Sequence, residues 1–276
     1  MTVIAMTREM GTLGKDVAQG IADSLDLKVV HSELVEHDLA ERLGVQESTV
    51  HRYLEGSASM LERWKIDKKK LSRYTADEIL ELAQQGNVII RGWGAVAVLR
   101  DIPHVLRVRV CAPDSFREGV MMERLGHKEP HLARSEIEQN DAAHARLMRS
   151  FFGLDWEDPK HYHVVLNTGA VPVETCVRIV RLLTDDPAFQ QTEETRAVLA
   201  DRLLERHVRI ALDGLTPFNV RVSNIQVKAS AGKITLTGAV IQNRLSMDAE
   251  EAARSIAGVT EVNNRIHVVQ THGSGV

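Results

Sequence analysis

The feature that most constrains this chain lies at its start. A short apolar run, Thr2-Val-Ile-Ala-Met6, reads as a buried parallel strand. It leads through a glycine-containing turn, Gly11-Thr-Leu-Gly14, into Lys15–Leu25, where Val17, Ile21 and Leu25 recur at helical spacing. Strand, glycine turn and helix in that order form the usual setting for phosphate chemistry. The first N–H groups of a helix have no partner, the helix dipole adds positive charge there, and a lysine at the helix start reaches outer phosphates. Gly14-Lys15 sits correctly for this role. The full Gly-x-x-x-x-Gly-Lys-Ser/Thr pattern is not met, because Glu9 stands at the first glycine position and Asp16 at the hydroxyl position that would touch Mg²⁺. On this motif alone an ordinary strand-to-helix turn remains an equal alternative.

Further β-like runs follow at Lys28–Val30, Val88–Ile90, Leu106–Val110 and His163–Leu166. Helical patterns separate them, around residues 33–43, 75–85, 114–125, 133–150 and 172–183. Short strands alternating with amphipathic helices predict an α/β domain, a mostly parallel sheet with helices on both faces. The pattern changes at Thr184-Asp-Asp-Pro187, which puts a first domain at 1–186 and a linker at 187–195. The second domain, 196–270, opens in a long helix, Glu194 to Leu212. Strands Asn219–Lys228 and Lys233–Val240 follow, joined by a hairpin loop at 229–232, then a helix Met247–Ala257 and a last strand Val262–Val269. This is a small α+β unit of αββαβ order. Residues 271–276 read as a disordered tail.

At the phosphate loop the sequence resembles the cytidylate-kinase-like family, a branch of the P-loop nucleoside monophosphate kinases that opens Arg-x-x-Gly-Ser-Gly-Gly-Arg-Glu-Ile. Here the run is Arg8-Glu-Met-Gly11-Thr12-Leu13-Gly14-Lys15-Asp16-Val17. Arg8, Gly11 and Gly14 match, and Leu13 replaces a glycine. The resemblance continues to about residue 184 through Arg91-Gly92-Trp93-Gly94, Leu106–Ala112, the lid-like 133–149, Gly153-Leu-Asp-Trp156 and Tyr162–Gly169. The family's Asp-x-x-Arg is Asp141-Ala-Ala-His144 here, and its Gly-Arg-Gly arginine gives way to Trp93.

The resemblance implies an ATP- and Mg²⁺-dependent kinase with CMP as acceptor. Phosphoryl transfer asks mainly for positioning and charge neutralisation. The cofactor contacts would be Arg8, Gly11, Thr12, Leu13, Gly14, Lys15, Asp16, Asn167 and Thr168, with Thr12 and Asp16 nearest the metal. Lys15 with the lid candidates Arg117, Arg124, Arg146 and Arg149 would carry the transfer, and Asp141 would orient an arginine or the acceptor base. Arg52, Arg63 and Arg91 would contact the acceptor monophosphate. The departures from the pattern leave a second reading open, an inactive nucleotide sensor.

A third reading comes from Asp38–Leu54, which looks like a DNA-binding helix-turn-helix. Ala40 lies at the helix crossing, Gly44 in the turn, Val45 and Val50 inward, and Ser48, Thr49, His51 and Arg52 outward. Glu36, Asp38, Glu41, Glu47 and Glu55 make the neighbourhood acidic, and the net charge is −4, so nucleic acid is disfavoured as a partner. The lysine run at 65 and 68–70 reads as a solvated face.

Residues 196–270 resemble the BON domain in Gly232-Lys-Ile-Thr-Leu-Thr-Gly238-Ala-Val, in Ala249–Ala257 and in Gly258-Val259-Thr-Glu-Val262 through Val268. That resemblance implies a module that binds a protein or a phospholipid and regulates or tethers its neighbour, homodimerisation included.

The remaining residue types exclude other chemistry. Two cysteines, Cys111 and Cys176, make no disulfide framework, so a reducing cytoplasm is expected, as is the absence of a signal peptide from the N-terminus. The pairs His127/His131 and His161/His163 lack metal-ligand partners at the right spacing. No Gly-x-Ser-x-Gly elbow is present.

Overall fold

The computed structural model describes residues 1–54, 67–92, 94–126, 129–215 and 225–269. Arg63, Lys65, Trp93, His127, the start of the expected strand at 219–228 and the tail 271–276 lie outside the described residues. The chain divides into two compact units, Met1–Thr192 and Glu193–Val276.

The first unit is built on β1 (Val3–Arg8), β2 (Lys28–Val30), β3 (Val88–Arg91), β4 (Val105–Cys111) and β5 (Val164–Asn167). They form one sheet in the order β2-β3-β1-β4-β5 with every pairing parallel. β1 therefore lies at the centre, and its residues Val3 to Met6 are all buried, as a strand covered on both faces requires. The alternation of strand side chains then sorts the faces. Ile4, Met6, Ile89, Leu106, Val108 and Val110 pack with Val17, Ala18 and Ile21 of α1 (Gly14–Leu25) and with Cys176 and Val180 of α8 (Val173–Thr184).

Between β2 and β3 run α2 (Ser32–Leu43), α3 (Glu47–Leu54) and α4 (Lys68–Gln85), and α5 (Ala95–Val98) follows β3. Helix α4 begins seven residues before the expected 75. Asp67 Oδ1 accepts the Lys70 N–H at 3.2 Å and starts the helix there. Thr75, at the expected start, is buried and donates back to the Leu71 carbonyl at 2.8 Å from within the helix. Helices α6 (Asp114–Leu125) and α7 (Pro130–Phe152) follow β4, and α7 runs unbroken for 23 residues. The stretch expected as a linker starts with a 3₁₀ turn, Pro187–Phe189, and the Phe189 ring meets the His163 ring at a tilt of 60° with centroids 4.9 Å apart. Its apolar ring packs against the first unit's core, so the structured part of that unit extends past residue 186.

The second unit contains α9 (Glu193–Gly214), β6 (Gln226–Ser230), β7 (Lys233–Val240), α10 (Asn243–Arg254) and β8 (Glu261–Val268). The sheet order is β6-β7-β8, with β6–β7 antiparallel and β7–β8 parallel across α10. The β6–β7 hairpin turns on Ala231 and Gly232, both at positive φ, which suits a two-residue turn. Leu204, Val208 and Leu212 of α9 close its core over Ile234, Leu236, Val240, Ala249 and Ala253. Helix α10 starts and ends a few residues earlier than the expected 247–257. Among the described residues no helix is long and apolar enough to cross a membrane.

Leu106 sits in the centre of the larger core and is fully buried. Leu106→Ala is expected to destabilise the protein by about 2–5 kcal/mol, read as a lowered midpoint in urea unfolding followed by circular dichroism.

Candidate functional site

β1 carries the chain to the carboxyl edge of the sheet, where the order of strands reverses around it and ligands of such folds bind. The Glu9 N–H still bonds to the Val110 carbonyl at 3.1 Å, so the loop leaves the sheet at Met10. Gly11 has φ 78° and lies so near α6 that a Cβ on it would stand 2.7 Å from the Arg117 carbonyl oxygen. Leu13 occupies the left-handed region, φ 53° and ψ 19°, at the position of the family's glycine. A side chain there costs about 1–2 kcal/mol of local strain, which the surrounding contacts must offset. Gly14 is required by packing, since a Cβ would fall 2.8 Å from Arg8 Cβ.

Helix α1 then begins without a cap. Leu13 offers no side-chain acceptor, and the first helical bond runs from the Val17 N–H to the Leu13 carbonyl at 3.0 Å. The amides of Gly14, Lys15 and Asp16 precede that bond and lack intrahelical partners. Lys15 and Asp16 are both exposed beside them. Lys15 forms no ion pair among the described residues.

The loop is braced from behind by residues distant in sequence. Thr12 is 1% exposed, and its hydroxyl donates to the Glu9 carbonyl at 2.8 Å. The Thr12 carbonyl in turn accepts the Thr168 hydroxyl at 2.6 Å. The Glu9 carboxylate, in the place of the motif's first glycine, accepts Arg109 Nη2 at 2.6 Å and the Ala112 N–H at 3.3 Å, with Arg117 Nη1 3.7 Å away. Arg109 is 6% exposed, donates also to the Trp156 carbonyl, and stands 4.6 Å from the Trp156 ring centroid. The Tyr162 hydroxyl donates to that same carbonyl, and burial pushes its pKa up to about 12.

Two residues expected to carry the chemistry belong to this bracing. Arg117 is 5% exposed; its Nε donates to the Met10 carbonyl at 2.7 Å and its Nη2 to Asp141 at 2.6 Å. Burial raises the Asp141 carboxyl even though Arg117 opposes the shift. Of the two roles open to Asp141, the contact made is the orientation of an arginine. Thr12 and Thr168 likewise face inward and position the loop, and Asn167 Oδ1 accepts the Gly169 N–H at 3.0 Å. Arg109 was missed. The available signal is the pair Arg107 and Arg109 at alternate positions of an otherwise apolar interior strand, where an unpaired charge is too costly to leave.

The other candidates are placed differently. Arg124, Arg146 and Arg149 are exposed, with Arg149 reaching Asp155 at 3.4 Å. Arg91 ends β3, and Arg52 is half-buried in the last turn of α3. The helix-turn-helix reading is corrected at Thr49. It was expected outward but is only 7% exposed, and His51 holds the buried Glu36 at 2.9 Å. Arg42 pins α2 to α4 through Asp77 at 2.7 Å. These helices pack as a wall of the first unit. Between α6 and α7 lies a cavity of 480 Å³ lined by the carboxylates of Asp114, Glu118, Glu138 and Asp141 against Arg117 and Arg134, which pair with Asp141 and Glu118, so its balance is acidic and a poor environment for phosphate.

His144, where the family places arginine, meets Trp156 edge-on at 4.4 Å. Burial, with Arg8 and Arg109 nearby, pushes its pKa down to about 4. His163 is pushed to about 4 by burial and by Arg107.

Comparison with known proteins places these features. The model of the cytidylate kinase-like family matches residues 3–170, and that of the BON domain matches residues 201–270. A cytidylate kinase of Pyrobaculum aerophilum is 25% identical over 179 residues, covering 65% of this chain and 90% of its own. A cytidylate kinase of Methanocaldococcus jannaschii is 24% identical over 181 residues, covering 64% and 93%. Among solved structures, an uncharacterized protein from Eubacterium ventriosum superposes with a TM-score of 0.54 at 18% identity, over 67% of this chain and 99% of that one. That likeness is one of fold.

Acid should weaken this site's bracing. The unfolded chain protonates its histidines near pH 6.5 whereas native His144 stays neutral to about 4, so the unfolded state takes up more protons between those values. Stability present above pH 6.5 is therefore lost as pH falls towards 4, by about 2–3 kcal/mol for His144. His144→Gln should flatten this limb in urea midpoints measured from pH 7 to 4, leaving the part due to His163.

Proposed function

The chain belongs to the cytidylate kinase-like family, and on that premise we propose that its first unit binds a nucleoside triphosphate at the head of α1 and transfers the terminal phosphoryl group to a nucleoside monophosphate, CMP by family. The observation that carries this reading is the uncapped start of α1. Three amides without helical partners, an exposed lysine and a dipole all favour the same anionic ligand.

On this reading Lys15 neutralises the outer phosphates of ATP. Asp16, an exposed carboxylate in the first turn, would hold Mg²⁺, which supplies charge neutralisation across the phosphates. Thr12 does not fit the metal as folded, because its buried hydroxyl is taken by the Glu9 carbonyl. Arg146, exposed on α7, is placed to swing onto the transferred group, and Arg149 would have to leave its exposed ion pair with Asp155 to do so, whereas Arg117 and Asp141 support the loop. We assign the BON module a regulatory or tethering role with a protein or phospholipid partner.

The sensor reading retains one specific support. Leu13 stands in a left-handed position that the family fills with glycine, and two expected catalytic side chains are engaged elsewhere. One experiment separates the two. The full chain is incubated with ATP, Mg²⁺ and a panel of monophosphates, and the diphosphate product is measured. The kinase reading expects product that falls by about 100-fold or more in Lys15→Ala. A melting temperature raised by ATP with no product from any monophosphate would establish the sensor instead.

A further inference from the structure

Four large apolar side chains of the second unit stay exposed at one end of its sheet: Ile241 at 54%, Met247 at 63%, Val268 at 40% and Val269 at 50%. Val240 pairs with Val268, and the Val269 N–H bonds to the Val240 carbonyl at 2.8 Å, so the ends of β7 and β8 bring Ile241, Val268 and Val269 together. Helix α10 begins at Asn243, just past Ile241, and Met247 lies in its second turn. Single exposed apolar residues are ordinary, but a group of them marks a surface that is covered in use.

The face of α10 around Met247 has a pattern of its own. Ser246, Ala249 and Ala253 are buried, and Asn264 of β8 donates to the Ser246 carbonyl at 3.1 Å and to Glu250 at 3.0 Å, so that side of the helix is committed to its own sheet. Arg244, Met247, Glu251 and Arg254 follow one another at alternate spacings of three and four residues, and all are exposed. This is the spacing of a helix-pairing seam. It runs from a cation through an apolar centre to an anion. Glu251 makes no ion pair among the described residues, Arg244 comes no closer than 3.8 Å to Asp248, and Arg254 is held by Glu250 at 2.5 Å.

A face of that order is complementary to itself. Two α10 helices set antiparallel about a two-fold axis at Met247 place Arg244 of each copy opposite Glu251 of the other, with the methionines between the two pairs. A parallel arrangement would oppose like charges. Strand pairing along the free edge of β8 is the other route for a second copy, and it is obstructed, since the Ile266 N–H is already taken by Asn264 Oδ1 at 3.1 Å. We propose that this face of α10, rimmed by Ile241, Val268 and Val269, joins two copies of the chain in a symmetric dimer. The inference rests on the tethering role assigned to the module and names its partner, a second copy of the same chain.

Sedimentation velocity of the full chain from about 1 to about 100 µM tests it, because a dimer of this kind dissociates on dilution. Arg244, Met247 and Glu251 are exposed, so their variants should fold, which circular dichroism checks. The expected result is a dimer whose dissociation constant rises about tenfold or more in Arg244→Glu, in Glu251→Arg and in Met247→Glu, and returns to within about threefold of the parent when both charge reversals are combined. Loss of a merely structural contact would not be repaired by the second reversal. A parent that is monomeric over the whole range, a dimer indifferent to these substitutions, or a double reversal no tighter than the single ones would each overturn the proposal. Flotation with vesicles of phosphatidylglycerol and phosphatidylcholine separates this failure from that of tethering itself. A monomer that binds the vesicles would overturn the dimer and give the apolar end to a phospholipid surface, whereas a monomer that binds none would overturn the dimer and phospholipid tethering together.

Discussion

The site depends on one half-buried carboxylate. Glu9 lies between Arg109 and Arg117 and joins β1, β4 and α6 at the point where the phosphate loop begins. Each of these groups would be costly to bury alone, and the set is tolerable only because each meets an opposite charge or a carbonyl. Removing Glu9 would strand two guanidinium groups, and the loop they support would lose its footing. This explains how a phosphate loop without its first glycine keeps a defined course. The position has exchanged backbone freedom for an ionic anchor.

That anchor divides the charged residues of the first unit into two sets. Arg109, Arg117 and Asp141 look inward and fix the shape of the loop through contacts to Glu9, to the Met10 carbonyl and to one another. Lys15, Arg124 and Arg146 look outward and remain available to a ligand, and Arg149 looks outward in an exposed pair with Asp155. Arg8 belongs to neither set: its stem is structural against Gly14, while its charge has no acidic counterpart among the described residues. The degenerate positions of the motif thus fall on the supporting side as much as on the binding side. Family membership together with these departures is what makes catalysis, and not fold, the open question for experiment.

Much of the fold could be read from periodicity because the core strands are apolar on both faces and the helices carry clear stripes. The run Thr2–Met6, the glycine turn and the α1 pattern located the candidate cradle from sequence alone. Local signals misled where a residue type has two uses. Thr49 looks like a groove contact but packs inward, and the helix expected from Thr75 starts at Lys68 with Thr75 inside it. The bracing was hidden for a different reason. Glu9 and Arg109 are 100 residues apart, Thr12 and Thr168 are 156 apart, and no spacing rule joins such pairs before the sheet order is known. Arg117 has the right residue type in the right region for a lid, and only its burial reveals that it holds Met10 and Asp141.

The most direct test of the central claim is the amide ¹H–¹⁵N spectrum of the full chain titrated with ADP. If backbone groups at the head of α1 receive the phosphates, the amides of Gly14, Lys15 and Asp16 should show the largest shifts, and those shifts should saturate together with binding. ADP binding that leaves these three amides unmoved, with the largest changes elsewhere in the chain, would contradict the account.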